Sequence, residues 1–100
     1  MESLVVVAHL KPDAYEEACA LIKQGPPFDL ENSGLTRNAV FCSPREVIFL
    51  FEGPDAEATV ERMLNDPVVS ARFSVWGHLI DGAPVRAVRE FEWHAADAVG

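Results

Sequence analysis

The stretch Glu46–Glu52, EVIFLFE, sets five consecutive apolar residues between two acids. The run is short for a helix and rich in β-branched and aromatic side chains, which predicts a strand. Successive side chains of a strand point to opposite faces, so a strand without polar alternation asks for burial on both. A second run of this kind, Leu4–Ala8 (LVVVA), lies within Ser3–His9. Two such strands belong in the centre of one sheet.

Upstream of Glu46, Ser43-Pro44-Arg45 forms a turn, and Gly34–Cys42 (GLTRNAVFC) alternates well enough to be a partner strand. Downstream, Gly53-Pro54-Asp55 places a proline and an acid where a helix begins. Ala56, Val60, Met63 and Leu64 then recur at i, i+4, i+7 and i+8, a single helix face. The first strand is followed by the same device in Lys11-Pro12-Asp13. Tyr15, Ala18, Cys19 and Ile22 supply the apolar face of that helix, Asp13, Glu16 and Glu17 suit its positive end, and Gly25-Pro26-Pro27 stops it.

Asn65-Asp66-Pro67 ends the second helix and starts another, with Asp66 as cap and Pro67 at the first helical position. Val69, Phe73, Trp76 and Ile80 then form a continuous helical stripe. A hairpin strand over Phe73–Ile80 stays open as the alternative, with Gly77 as a bend or bulge. On the helical reading Trp76 turns inward and His78, about 200° around the axis, turns away. After the turn Asp81-Gly82-Ala83-Pro84, Val85–His94 (VRAVREFEWH) reads as the last strand, with Arg86, Arg89, Glu90 and Glu92 as the charges of an edge.

The order β-α-β-β-α-(α)-β predicts a ferredoxin-like α+β fold with a four-stranded antiparallel sheet, as one domain over residues 1–100. Helices cover one face of such a sheet. The other, equally apolar, predicts a homodimer through the open sheet face.

Net charge is −8, with 49% apolar and 24% charged residues. That field repels phosphate backbones and anionic headgroups, so neither nucleic acid nor a membrane surface is an expected partner. The apolar run Leu4–Leu10 follows an acid and is too short for a span or a secretory signal, so a cytoplasmic location is expected. Cys19 and Cys42 lack the spacing of a zinc site or a disulfide framework and read as inert thiols. No metal and no cofactor are expected.

The segments AHLKPDAYEEA, GLTRNAVF, FLFEGPDAEA, NDPVVSARFSVW and REFEWH resemble the dimeric α+β barrel superfamily, in particular the aromatic polyketide cyclases and the antibiotic-biosynthesis monooxygenase type. The resemblance implies two ferredoxin-like protomers packed sheet to sheet, and a cofactor-independent cyclase or monooxygenase acting on an aromatic or polyketide-like substrate. The alternative is a non-catalytic ligand-binding or structural dimerisation module. The chain departs from the cyclase pattern at Gly25 and Phe49, where the cyclases carry His, and at Asn38, where they carry Arg.

His9 ends the first strand on the face of Val5 and Val7 and is a candidate base beside Lys11. Arg37 is a candidate anion stabiliser, or the partner of Glu46 or Glu52 across the hairpin. Tyr15, Phe49, Phe73, Trp76 and Trp93 are large enough to line a pocket for a hydrophobic small molecule, or to fill a core. His94 shares a strand face with Glu90 and Glu92, which reads as a solvated edge rather than a metal site.

Overall fold

The computed structural model describes residues 2–26, 28–93 and 95. Strands β1 (Glu2–His9), β2 (Arg37–Cys42), β3 (Glu46–Gly53) and β4 (Val85–Ala87) form one antiparallel sheet in the order β2-β3-β1-β4. Helices α1 (Tyr15–Lys23), α2 (Ala56–Asn65) and α3 (Pro67–Phe73) accompany it, the last running into a 3-10 turn at Ser74–Trp76. This is the ferredoxin-like arrangement, with the two unbroken apolar strands side by side in the centre.

Register assigns the two faces. Leu4, Val6 and Ala8 of β1 lie opposite Phe51, Phe49 and Val47 of β3, and these in turn lie opposite Asn38, Val40 and Cys42 of β2. This is the face beneath the helices, where Leu4, Ala8, Val47 and Phe51 are buried. Ala18 of α1 and Ala56 of α2 are fully buried, and their small side chains let the helices sit close to the sheet. The opposite face presents Val5, Val7, Ala39, Ile48 and Leu50, all half-buried, with Phe41 and Val85 exposed.

The helix starts depart from the simple Pro-and-acid reading. Asp13 adopts a left-handed backbone (φ 66°), a conformation that Asp tolerates better than most residues, and α1 begins two residues later with no side-chain cap. At α2 the Asp55 side chain makes no capping bond. A carboxylate oxygen of Glu2 instead accepts from the Glu57 amide at 2.7 Å, so the first residues of β1 cap a helix distant in sequence. At α3 the sequence reading holds: Pro67 is in the first turn and Asp66 accepts from the Val68 amide at 2.9 Å.

The stretch 73–80 divides between its two readings. Helix and 3-10 turn carry the chain to Trp76, and the backbone then returns to the end of β1. There the Lys11 amide donates to the Leu79 carbonyl and the Asp81 amide to the His9 carbonyl, both at 2.8 Å, around an antiparallel bridge between Leu10 and Ile80. Trp76 is buried, whereas His78 is exposed and lies 2.9 Å from the Glu17 carboxylate.

The last strand is shorter than Val85–His94. Only Val85–Ala87 pair with β1, residues 88–93 have no regular structure, and His94 lies outside the described residues. Arg89 turns its guanidinium back onto Ser3 and Glu52, so a side chain rather than the backbone makes this contact with the sheet. Among the described residues no helix is long and apolar enough to cross a membrane.

Candidate functional site

The helices do not fill the space above the sheet. Phe49 of β3 and Trp76 meet edge to face there, ring centroids 5.5 Å apart and planes at 87°. Phe73 completes this wall, its ring tilted against that of Phe28 with centroids 6.4 Å apart. On the α1 side of the wall is a cavity of about 80 Å³, bounded by Leu21, Ile22, Phe28, Val40 and Asn38. On the α2 side a cavity of about 260 Å³ is bounded by Val6, Ala8, Val60, Leu64, Ile80, Pro84 and Arg86. The larger space is apolar and concave, the kind that suits a small hydrophobic ligand.

Each cavity has few polar contacts to offer. Asn38 borders the smaller one, its amide nitrogen donating to the Leu50 carbonyl at 2.9 Å. Arg86 borders the larger, with Nη1 3.5 Å from a Glu57 carboxylate oxygen. Among the described residues that bound these two cavities there is no His, Cys, Tyr or carboxylate. The arrangement can hold an apolar body, exclude water and fix one polar end; it supplies no obvious proton acceptor. Among the described residues no group of His, Cys, Asp or Glu is placed to hold a metal ion.

Of the aromatic residues singled out in the sequence, Phe49, Phe73 and Trp76 come together as the shared wall. Tyr15 and Trp93 border neither cavity, and Trp93 is 74% exposed. His9 and Arg37 lie on the open sheet face. His9 is 4.0 Å from Glu46 at one end of that face, and Arg37 is 3.2 Å from Glu52 at the other. Ser3, which pairs with Glu52, is six residues from His9 along β1, about 20 Å. The two side chains are therefore not brought together. Leu35, two residues before Arg37, precedes the strand and packs with Leu4, Phe51 and Val60 under the helices.

Glu52 anchors a polar row across the sheet. Its carboxylate accepts from the Ser3 hydroxyl at 2.8 Å, from Arg37 at 3.2 Å and from Arg89 at 3.1 Å, while Arg89 also reaches Glu92. The Ser3 hydrogen bond, followed by the hydrogen bond and charge of Arg37 and the charge of Arg89, holds the Glu52 carboxyl below its ordinary range despite opposing desolvation. A carboxyl depressed by folding stabilises the native state above its unfolded pKa, and this contribution is lost as pH falls through its native value. Glu52→Gln should cost about 1 kcal/mol at neutral pH and almost nothing in acid, once pH has fallen below the lowered native value of the carboxyl. Urea melts across that range check this; an equal loss at both ends would show that charge is not the cause.

A second polar group lies between α1 and β2. The Tyr15 phenol is raised from its ordinary value by its hydrogen bond to Cys19, with smaller electrostatic contributions from both thiols. Burial, and then the neighbouring Cys19, pushes the Cys42 thiol up. A raised thiol is protonated at neutral pH and a poor nucleophile, as the sequence suggested for Cys42.

Asn38 and Arg86 were not among the sequence candidates. Asn38 could have been found by parity, because it alternates with Val40 and Cys42 on one strand face. Arg86 could not, because its apolar setting is visible only once the register places it opposite Val6.

No protein-family model matches the chain. No curated protein matches it either. Solved structures do. A crystal structure of an antibiotic biosynthesis monooxygenase superposes with a TM-score of 0.70 at 12% identity, covering 92% of this chain and 99% of that one. A protein of Agrobacterium tumefaciens gives 0.69 at 16% identity over 90% and 92% of the two chains. A protein of Mycobacterium tuberculosis gives 0.66 at 15% identity over 94% and 97%. At these identities the shared property is the fold.

Proposed function

We propose that this chain binds a planar, mostly apolar small molecule in the space between helices and sheet, against the wall of Phe49, Phe73 and Trp76. The observation that carries this reading is the apolar cavity of about 260 Å³ left open beside that wall. A neutral bicyclic probe, 2-naphthol, should bind the native chain and raise its melting temperature. Leu64→Trp, at a 42% exposed position on the cavity rim, should weaken that binding at least tenfold without unfolding the chain. Binding equally strong in the variant would move the site elsewhere, and no binding to the native chain would remove the proposal.

The catalytic version of this reading is cofactor-independent oxygenation, favoured by the likeness to a structure named as an antibiotic biosynthesis monooxygenase. For an electron-rich phenol such as 1-naphthol, one O2 gives 1,4-naphthoquinone and one water, with no further reductant. The cavity would exclude water and orient the ring, the phenol supplying the electrons. Oxygen uptake with 1-naphthol, one O2 per quinone formed, tests this. Uptake no faster than in buffer would leave a non-catalytic binding protein.

In the same reading a second copy covers the open sheet face. Support comes from the apolar rows Val5-Val7 and Ile48-Leu50 at its centre and from the charged groups at its ends. His9 and Arg37 then belong to this contact and not to the ligand cavity.

A further inference from the structure

Arg86 is the one charged side chain among the described residues that bound the larger cavity. Its position follows from pairing: Val85, Arg86 and Ala87 lie opposite Val7, Val6 and Val5, so Arg86 falls on the helix side while its neighbours face the open side. A guanidinium is thereby set at the border of an apolar space otherwise bounded by aliphatic and aromatic groups.

We propose that Arg86 is an anion-binding residue and that the larger cavity takes an apolar carboxylate, its head on Arg86 and its body against Phe49 and Trp76. This rests on the reading that the cavity binds a small molecule, and it names the class. The present partner of Arg86 is replaceable. The Arg86–Glu57 contact is a single one at 3.5 Å between side chains 48% and 60% exposed, a geometry that contributes little. A ligand carboxylate can accept from two guanidinium N–H groups at once, which the single 3.5 Å contact with Glu57 does not. Release of Glu57 leaves α2 intact, because the amide of Glu57 is held by Glu2. With a net charge of −8 the chain as a whole repels anions, so selectivity for one depends on this local cation.

Calorimetric titration of the full chain with 2-naphthoate and with its neutral isostere 2-naphthamide tests the proposal. The native chain should bind the carboxylate at least tenfold more tightly than the amide. Arg86→Gln should abolish that preference by weakening carboxylate binding at least tenfold, with a circular dichroism spectrum matching the native one to show that the variant is folded. Arg86→Lys should retain part of the preference, and Glu57→Gln should strengthen carboxylate binding severalfold by removing the competitor. Equal affinity for both compounds in the native chain, or a preference that survives in Arg86→Gln, overturns the anion site. Binding of the amide alone overturns the anion site but leaves the cavity reading standing, whereas binding of neither compound overturns both.

Discussion

Trp76→Ala is expected to lower the free energy of unfolding by about 3–5 kcal/mol. The side chain is only 9% exposed and lies between the two cavities, with Phe49 edge-on to it at 5.5 Å. Its loss removes a large apolar surface from the core together with an aromatic contact worth about 0.5–1.5 kcal/mol beyond area. The neighbours cannot close the gap, because the backbone beyond Trp76 is tied to β1 by the bonds of Leu79 and Asp81. The two cavities would merge, and a residual void adds to the cost. Trp76→Phe should recover roughly half of the loss, about 2 kcal/mol. Urea denaturation followed by circular dichroism measures both variants; a loss below about 1 kcal/mol for the alanine variant would show that Trp76 is not the anchor of this core.

The second large effect concerns the open sheet face. If a second copy covers that face as proposed, Leu50→Glu should convert the dimer into a monomer, with affinity reduced at least about a hundredfold, since an unpaired carboxylate buried in a contact costs several kcal/mol. In a twofold contact the same substitution enters twice, so like charges are added on both sides. Leu50 faces away from the helices, between the registers of Val5 and Ala39, so the change should leave the fold unaltered. Sedimentation equilibrium of native and variant chains, with matching circular dichroism, checks this. A native chain that is monomeric at micromolar concentration would remove the second copy from the proposal.

The central strands were legible because their composition is extreme: a run such as VIFLF or LVVVA satisfies its side chains only with cover on both faces. The start of α3 was legible because the Asp66-Pro67 signal is local and acts within one turn. Failures occurred where distant residues decide. The α2 cap comes from Glu2, which no window around Asp55 contains. The charges after Ala87 suit an edge strand, yet Arg89 serves the row of Ser3 and Glu52, and the backbone leaves the ladder. At the site, Phe49, Phe73 and Trp76 could be picked out by size and periodicity. His9 was assigned correctly to the face of Val5 and Val7, but alternation alone does not say which face the helices cover. The available hint was residue size: Ala8 and Val47, both fully or almost fully buried, lie on the face that accepts closely packed helices.

The wall shared by the two cavities has a thermodynamic consequence. Phe49, Phe73 and Trp76 each border both the 80 Å³ space and the 260 Å³ space. A ligand that shifts Trp76 in one space alters the volume available in the other, so the two occupancies share a coupling free energy that is the same read from either side. Filling the smaller space by enlarging Val40 would then change affinity in the larger one, at a distance from any ligand contact.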